Sequence, residues 1–256
     1  MKAYLVFSAV LSTAAWAQHA LTPPQVGFIQ DSHGQIHIVN GVAGNFLVGA
    51  AVSSGIISAG YSGSFGLLKS DSALIVVDQR GRGVASVVAP AGPALFAFAA
   101  NGSPALAYFE QSKTLLAWDG HTFQPQGPPG SQAPLAIAAL SSKQAEFIVQ
   151  RATGLWQLGV ELATGAIVSQ TALHGITAPV LMPAAGGFVY RDAQGLVVRK
   201  PDGSEKHIPA HLPESLALSQ MGNGWIQITD LATGRLSAAN AQPGHEGIYL
   251  LPEVRP

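Results

Sequence analysis

The chain has 256 residues, of which 48% are hydrophobic and only 11% are charged, with 29 glycines, 17 prolines and no cysteine. The charged fraction is less than half that of an average soluble domain, which argues against long charged surface helices and favours short strands joined by tight turns. The 13 basic and 14 acidic residues are scattered without a basic patch, so we expect no nucleic-acid partner. The lack of cysteine excludes disulfides, thiol nucleophiles and thiolate metal sites.

The first feature in chain order is a predicted export signal. A lysine at position 2 and an apolar run precede three residues that fit the small-residue rule for cleavage. These residues are Ala15, Ala17 and Gln18, with the cut before Gln18. The sequence therefore predicts a signal peptide over 1–17 and one mature domain over 18–256, in the periplasm or outside the cell. The alternative is a short buried strand or helix at the N-terminus.

Two later uncharged runs, 43–68 and 87–109, are long enough to raise the question of a membrane span. Both are interrupted by Gly, Ser, Pro or an Asn-Gly pair, and neither has basic flanks that would anchor it. We therefore expect buried strands in both runs and no membrane span in the mature chain.

Six stretches of the chain resemble one another and predict six β-hairpins. Each has an apolar run, a polar residue, a small polar turn and a second run, and the starts are about 39 residues apart on average. They are 28–41, 74–87, 107–120, 147–160, 188–203 and 225–240. In four of them a polar residue precedes the turn glycine by three positions, as Asp192 precedes Gly195. Glycine allows the positive φ of the turn, and short polar side chains hydrogen-bond back to it.

A predicted strand rich in small residues precedes five of these hairpins, and a fourth segment, such as 166–173, follows the hairpin. The small-residue strands are 55–62, 94–100, 135–140, 178–185 and 215–221. Four strands in about 39 residues, with the small-residue strand lining a narrow channel, are typical of a β-propeller blade. Over residues 25–251 the chain thus resembles β-propeller repeat proteins. Its Trp-Asp pair (118–119) and Gly-His pairs (120–121 and 244–245) do not recur once per repeat as in WD40 proteins. The chain looks more like uncharacterised exported bacterial propeller-like proteins, a resemblance that implies no activity.

The predicted fold is therefore an all-β propeller of about six four-stranded blades. Five or seven blades, or a β-sandwich, are the alternatives. The first hairpin has no obvious inner strand before it, because Pro23 and Pro24 intervene. The segment 247–254 supplies either that missing strand or the outer strand of the last blade, so that the N- and C-terminal strands close the ring and remove open sheet edges.

The histidines do not predict a metal site. His33 and His37 fall in a turn and a strand, so they cannot share a face as two helical histidines would. His207 and His211 flank Pro209, which excludes a helix there. We therefore expect surface histidines, no metal and no cofactor.

Four aspartates recur at the same place in their hairpins: Asp31, Asp78, Asp192 and Asp230. We expect each to cap its own turn through the backbone. The alternative is a ring of acidic groups on one face that binds a cation.

Three tryptophans recur near hairpins, and one glycosylation sequon is present. Trp118, Trp156 and Trp225 are expected to pack between blades, although a propeller lectin would use such residues to stack sugars. Asn101-Gly102-Ser103 matches the sequon, but an Asn-Gly pair between apolar runs is explained by a hairpin turn.

No catalytic constellation emerges, and no catalytic residue is assigned. The sequence predicts an exported, non-catalytic binding or scaffold module that acts as a monomer. Its protein, peptide or glycan ligand would sit over a channel mouth, on loops carried by the rigid ring. The alternatives are a propeller-class enzyme acting on a glycan or another extracytoplasmic substrate, and a structural surface protein.

Overall fold

The structure, a computed structural model, describes residues 23–100, 102–128, 130, 132–184 and 187–254. The regular elements within these ranges are β-strands, which form six antiparallel sheets. The expected leader, with Ala15, Ala17 and Gln18, lies outside the described residues, as does Asn101 of the sequon.

The six sheets follow one another along the chain, and each is a blade built from consecutive strands. Blade one contains β1 (Gln25–Gln30), β2 (Ile36–Val42) and β3 (Asn45–Ser53). Blade two contains β4 (Ser58–Tyr61), β5 (Phe65–Lys69), β6 (Ala73–Asp78) and β7 (Gly83–Val88). Blade three contains β8 (Ala94–Phe98), β9 (Ala105–Phe109), β10 (Thr114–Trp118) and β11 (Phe123–Gln126).

The remaining three blades have the same order of strands, from the inside outwards. Blade four contains β12 (Pro134–Ala139), β13 (Gln144–Arg151), β14 (Gly154–Glu161) and β15 (Ile167–Leu173). Blade five contains β16 (Val180–Ala184), β17 (Gly187–Arg191), β18 (Gly195–Arg199) and β19 (Glu205–Pro209). Blade six contains β20 (Leu216–Gly222), β21 (Trp225–Asp230), β22 (Leu236–Asn240) and β23 (Gly247–Leu250).

Six hydrophobic clusters hold the blades together, one between each pair of neighbours. Between blades three and four, for example, Leu106 packs in one cluster with Phe147. The circle is complete because blade six packs on blade one, where Met221 shares a cluster with Val39. Face-to-face burial of successive sheets around a closed ring defines a six-bladed β-propeller. The predicted fold class is confirmed, and the alternatives of five or seven blades or a β-sandwich are wrong.

Five inner strands line the central channel: β4, β8, β12, β16 and β20. They coincide with the five small-residue segments, and their alanines and glycines let the strands converge on a narrow axis. We call the end of the channel where these strands begin the upper mouth, and the end where they finish the lower mouth. Both mouths are lined by residues from these strands and from the adjoining turns.

The second hairpin predicted from the sequence is out of phase with the others. Residues 74–87 form β6 and β7, the third and fourth strands of blade two. Each of the other five predicted hairpins occupies the positions of the second and third strands of its blade. The true second strand is β5, whose turn to β6 is capped by Ser70 rather than by an aspartate. With the hairpin of blade two starting at Phe65, the spacings of 46 and 33 residues become 37 and 42.

Blade one has no innermost strand among the described residues. Gln30, at the end of β1, donates to the carbonyl of Ile56 just before β4 begins, whereas Gly27, near the start of β1, lies beside Met221 near the end of β20. β1 therefore runs opposite to the strands that line the channel and has the direction of a second strand. The lack of a described inner strand in this blade agrees with the sequence, in which none is apparent before the first hairpin.

The two ends of the chain meet where blade six packs on blade one. The segment 247–254 takes the second of its two expected places, because β23 pairs with β22 as the outer strand of blade six. Leu251, which follows it, is buried with Val26 and Phe46 of blade one. Strand β1 and the C-terminal segment thus close the ring by side-chain packing across the seam between the blades.

The two long uncharged runs form strands, and no described residue belongs to a helix long and apolar enough to cross a membrane. The run 87–109 is largely buried in β8 and β9, as expected. The run 43–68 begins with β3, most of whose side chains face solvent. The expectation of a buried strand is wrong there, because β3 is the outer strand of its blade.

Candidate functional site

A cavity of about 380 Å³ opens at the upper mouth. Its lining comes from the beginnings of the five inner strands, from the end of β1, and from β21 with the residue after it, so all six blades contribute. A concave site of this size, carried on a rigid ring, is within the range that binds small ligands.

The polar side chains in the lining come from blades six, one and two. They are Gln30, Asp31, Ser58, Ser219, Gln220, Gln227 and Thr229. Blades three, four and five contribute apolar residues: Ala94, Leu95, Phe96, Leu135, Ala136, Ile137, Val180 and Leu181. The polar side chains are therefore confined to one wall, which also carries apolar residues such as Ile57 and Leu231, and the described lining of the opposite wall is apolar. We call them the polar wall and the apolar wall.

Three large apolar side chains in this lining are open to solvent. Ile57, Leu135 and Leu231 are 42%, 39% and 60% exposed. Exposed apolar groups around a concave site, bordered by polar residues, are typical of a surface that binds something. We call these three residues the apolar rim.

Several polar side chains of the polar wall form hydrogen bonds with the backbone of a neighbouring blade. Gln227 of blade six accepts from the Gln30 amide at 2.9 Å and donates to the Gln30 carbonyl at 2.7 Å. Ser58 Oγ of blade two accepts from the Ala94 amide of blade three at 3.1 Å. Gln220 Nε2 of blade six donates to the Met182 carbonyl of blade five at 3.0 Å. These bonds hold the wall rigid around the channel.

Asp31 is the ionisable residue among the described residues that line the cavity. Its Oδ1 accepts from the amides of His33 and Gln35 at 2.9 and 2.8 Å, and its Oδ2 lies 3.3 Å from Nε2 of the buried His37. Nδ1 of His37 lies 3.0 Å from the carbonyl of Gly49 on β3. Both carboxylate oxygens are thus engaged in holding the turn and the strands of blade one.

The lower mouth offers a different surface. Its cavity of about 320 Å³ is lined by Tyr61–Gly63, Phe98–Ala100, Pro183, Gln220 and Gly222–Trp225. Small residues and backbone dominate it, and its described lining includes no Asp, Glu, Lys, Arg or His. The upper mouth, with its two walls and apolar rim, is therefore the candidate site.

The four recurrent aspartates cap their own turns, as the sequence predicts. In Asp192, for example, Oδ1 accepts from the amides of Gln194 and Gly195, while Oδ2 lies 3.1 Å from His207 Nδ1. The alternative of a four-membered acidic ring is wrong. Asp78 follows a third strand, and its neighbour Gln79 donates to the Gly63 carbonyl at the lower mouth.

Hydrogen bonding also sets the ionisation of the turn aspartates. The side chain and amide of Arg82, and the amide of Arg80, lower the pKa of Asp78 to about 2. The hydroxyl of Thr233 and the amide of Ala232 lower the pKa of Asp230 in the same way. These carboxylates are charged at neutral pH and committed to turns, which is a structural role.

The histidine pairs are not brought together as ligands. His33 is exposed in the turn after β1, whereas His37 is buried in β2, so the expectation of a surface histidine is wrong for His37. His207 is exposed on β19 and His211 follows that strand. The part of the chain that the structure describes contains no group of three or more His, Cys, Asp or Glu side chains able to hold a metal ion.

The tryptophans pack against neighbouring side chains. Trp118 lies 4.9 Å from Phe123, and Trp225 makes edge contacts with Phe46 of blade one at 5.5 Å. Trp156 has the Arg151 guanidinium 4.8 Å above its ring. None of the three lines the upper mouth. The expected packing role agrees with this placement, and no stack of exposed rings suited to a sugar is formed there.

The residues that build the candidate site were missed in the sequence. Gln30, Gln220 and Gln227 lie in largely apolar strands and match no motif. The available signal is a long amide within a largely apolar inner strand, as Gln220 is. The convergence of the three amides depends on which blade neighbours which, and one hairpin pattern repeated six times does not encode that.

Fold and site together define the class of this chain as a six-bladed β-propeller with a two-walled channel mouth. No protein-family profile and no curated protein matches it. Hydrazine synthase of Kuenenia stuttgartiensis is similar in fold, with a TM-score of 0.46, 12% identity, and coverage of 91% of this chain and 80% of that one.

Two further solved structures have comparable similarity. Dihydro-heme d1 dehydrogenase NirN in complex with DHE has a TM-score of 0.43, 15% identity, and coverage of 90% of this chain and 63% of that one. The Cps50 (Swd1) β-propeller domain of Myceliophteria thermophila has a TM-score of 0.43, 10% identity, and coverage of 80% and 69%. At these values no function passes to this chain.

Proposed function

We propose that this protein is an exported, non-catalytic binding module that holds its ligand in the cavity at the upper mouth. The single observation that carries the proposal is the apolar rim, in which Ile57, Leu135 and Leu231 remain open to solvent around a formed cavity. Covering these groups removes apolar surface from water, at about 25 cal/mol for each Å² buried.

The chemistry of the lining favours binding over catalysis. General acid–base catalysis needs an ionisable group that is free to exchange a proton with the substrate. Asp31 is the carboxylate in the described lining of the cavity, and both of its oxygens are engaged with His33, Gln35 and His37. The other polar groups of the described lining are amides and hydroxyls, which position ligands but are weak acids and bases.

A ligand screen tests the site. Compounds that raise the melting temperature of the wild-type mature protein are collected and then tested on a double variant, Leu135→Asp with Leu231→Asp. The matched control is Val88→Asp, an exposed position on the outer strand β7, away from the mouth. We expect the hits to lose their effect on the double variant and keep it on the control. Hits that stabilise all three proteins equally would overturn the proposal.

Export is the second part of the proposal and is supported by the leader over 1–17. Expression of the full chain in a bacterial host should release a protein that begins at Gln18 outside the cytoplasm, as read by mass spectrometry. Replacing Ala15 and Ala17 together by leucine should block cleavage, because signal peptidase requires small residues there. An uncleaved wild-type chain in the cytoplasm would contradict export. Sedimentation of the mature protein is expected to give the mass of a monomer.

A further inference from the structure

We infer that the ligand of the upper mouth has an apolar body and a hydrogen-bond-donating head group, and is not an anion. This inference rests on the proposed function, because it names the ligand class of the same cavity. It follows from three features of the lining: the fixed direction of two amides, the apolar opposite wall, and the sign of the one ionised group.

Two glutamines present fixed acceptors on the polar wall. Gln30 Nε2 donates to the Ile56 carbonyl at 2.7 Å, and Gln220 Nε2 donates to the Met182 carbonyl at 3.0 Å. Because a carbonyl can only accept, each bond fixes which end of the amide is nitrogen. Both residues line the cavity, and neither Oε1 has a hydrogen-bond partner among the described residues. Each oxygen therefore remains available to a ligand as an acceptor, and each Nε2 keeps a second N–H beside it.

The other polar side chains of this wall add no further fixed donor. Both ends of the Gln227 amide are engaged: its oxygen by Gln30, and its nitrogen by Gln30 and the Thr229 hydroxyl. The hydroxyls of Ser58 and Ser219 can rotate, and they donate or accept as the ligand requires. The described wall thus presents two fixed amide acceptors and two amide N–H groups, but no cationic donor.

The opposite wall sets the shape of the ligand body. Blades three to five present Leu95, Phe96, Leu135, Ile137 and Leu181 to the cavity, with no described polar side chain among their lining residues. A ligand group placed there gains from burial and has no hydrogen bond to make. The polar head group must therefore be on one side of the ligand and the apolar body on the other.

Charge decides between head groups that could reach the polar wall. Asp31 is negative, and no Lys or Arg is present in the described lining. A carboxylate or phosphate head would lose its hydration and face acceptor oxygens and an anion, which is unfavourable. An ammonium, hydroxyl or amide N–H can donate to these same oxygens, and hydrogen bonds with a charged partner are the stronger ones. The preferred head group is therefore neutral or cationic.

Three probes with the same six-carbon body test the inference: hexylamine, hexanol and hexanoate. Each is titrated into the mature protein, and binding is followed by NMR shifts of the leucine and isoleucine methyl groups at the mouth. We expect hexylamine to bind most tightly and hexanoate at least about tenfold more weakly, since one charge-assisted hydrogen bond contributes about 1.5–3 kcal/mol. Gln220→Leu should weaken hexylamine several-fold, whereas the exposed Gln124→Leu on β11 is the matched control.

The outcomes separate this inference from the proposed function. Hexanoate binding as tightly as hexylamine, with shifts at Leu135, would overturn the ligand class and leave the mouth as the binding site. No binding by any of the three would also overturn the ligand class. Binding that persists unchanged in the Leu135→Asp and Leu231→Asp double variant would overturn the site itself.

Discussion

The side chain of Gln227 forms two hydrogen bonds with the backbone of Gln30, across the seam where the first and last blades meet. Its Oε1 accepts from the Gln30 amide at 2.9 Å and its Nε2 donates to the Gln30 carbonyl at 2.7 Å. Because no described strand lies on the channel side of β1, these two backbone groups have no ladder partner among the described residues. One primary amide supplies both the acceptor and the donor that a neighbouring inner strand would supply.

Replacing Gln227 by leucine should weaken the seam, because the Gln30 amide and carbonyl would lose their partners in a half-buried place. We expect a loss of about 2 kcal/mol in the free energy of unfolding, measured by urea titration. The control is Gln124→Leu, an exposed residue whose bond to Thr122 is local. A Gln227→Leu protein with the same urea midpoint as wild type would contradict this. It would mean that water replaces the Gln227 side chain as hydrogen-bond partner of the Gln30 amide and carbonyl without loss of stability.

Gly27 should tolerate no side chain, because a Cβ there would clash with the backbone oxygen of Met221 in blade six. Gly27→Ala must push β1 away from β20, so we expect a loss of about 1–3 kcal/mol, the usual cost of overpacking. Gly83→Ala on β7 is the matched control, since its nearest neighbour would be Ile75 Cγ2 at 3.7 Å. Equal thermal midpoints for the two variants would contradict the close approach of the end blades.

Removing the hydroxyl of either of two buried tyrosines should make the folded protein more stable. The Tyr61 ring stacks on Phe28 with centroids 4.2 Å apart, yet neither its hydroxyl nor that of Tyr108 has a hydrogen-bond partner among the described residues. We expect Tyr61→Phe and Tyr108→Phe each to raise the free energy of unfolding by about 1 kcal/mol, because an unsatisfied buried polar group is removed. Tyr190→Phe should show the opposite sign, since Tyr190 donates to Glu205 at 3.1 Å. Stability losses in all three variants would refute this account.

As the pH rises above 8, the stability of the protein should fall more steeply than deprotonation of its lysines alone would make it fall. Burial raises the pKa of Tyr61 and Tyr108, and burial with the Glu205 hydrogen bond raises the pKa of Tyr190 to about 12. Between the ordinary tyrosine pKa of about 10 and these raised values, the unfolded chain loses protons that the folded chain keeps, so stability falls as pH rises. Urea midpoints measured from pH 8 to 11 check this, and Tyr61→Phe should flatten the decline. A flat profile in the wild type would contradict it.

The ionisation of Asp78 should depend on Arg82. With the pKa of Asp78 held near 2, the stabilising effect of this carboxylate is present above the ordinary pKa of aspartate and is lost as pH falls towards 2. Carbon-detected NMR titration should place the Asp78 midpoint near 2, and Arg82→Leu should move it up towards the ordinary value. Arg80→Leu is the control, because Arg80 contributes its backbone amide to Asp78. A midpoint unmoved by Arg82→Leu would assign the shift to the backbone amides.

Local sequence determined the repeating unit of this protein. Alternating apolar runs and turns with an aspartate three before a glycine encode hairpins, because strand faces and positive-φ turns are properties of a few neighbouring residues. Residues 188–203 show this: β17, the turn capped by Asp192, and β18 lie where the pattern predicts. The inner strands were predictable for a similar reason, since alanine and glycine recur where these strands approach the axis.

Tertiary structure decided the phase of blade two, the direction of β1 and the composition of the upper mouth. The pattern at 74–87 fits a hairpin of either phase, and packing of β5 between β4 and β6 selects one. Gln30 and Gln227 are 197 residues apart, and they meet because the sixth sheet returns to the first. Local propensity carries no information about that closure, which depends on burying the faces of six sheets in a ring, so the seam and the site beside it follow from the ring as a whole.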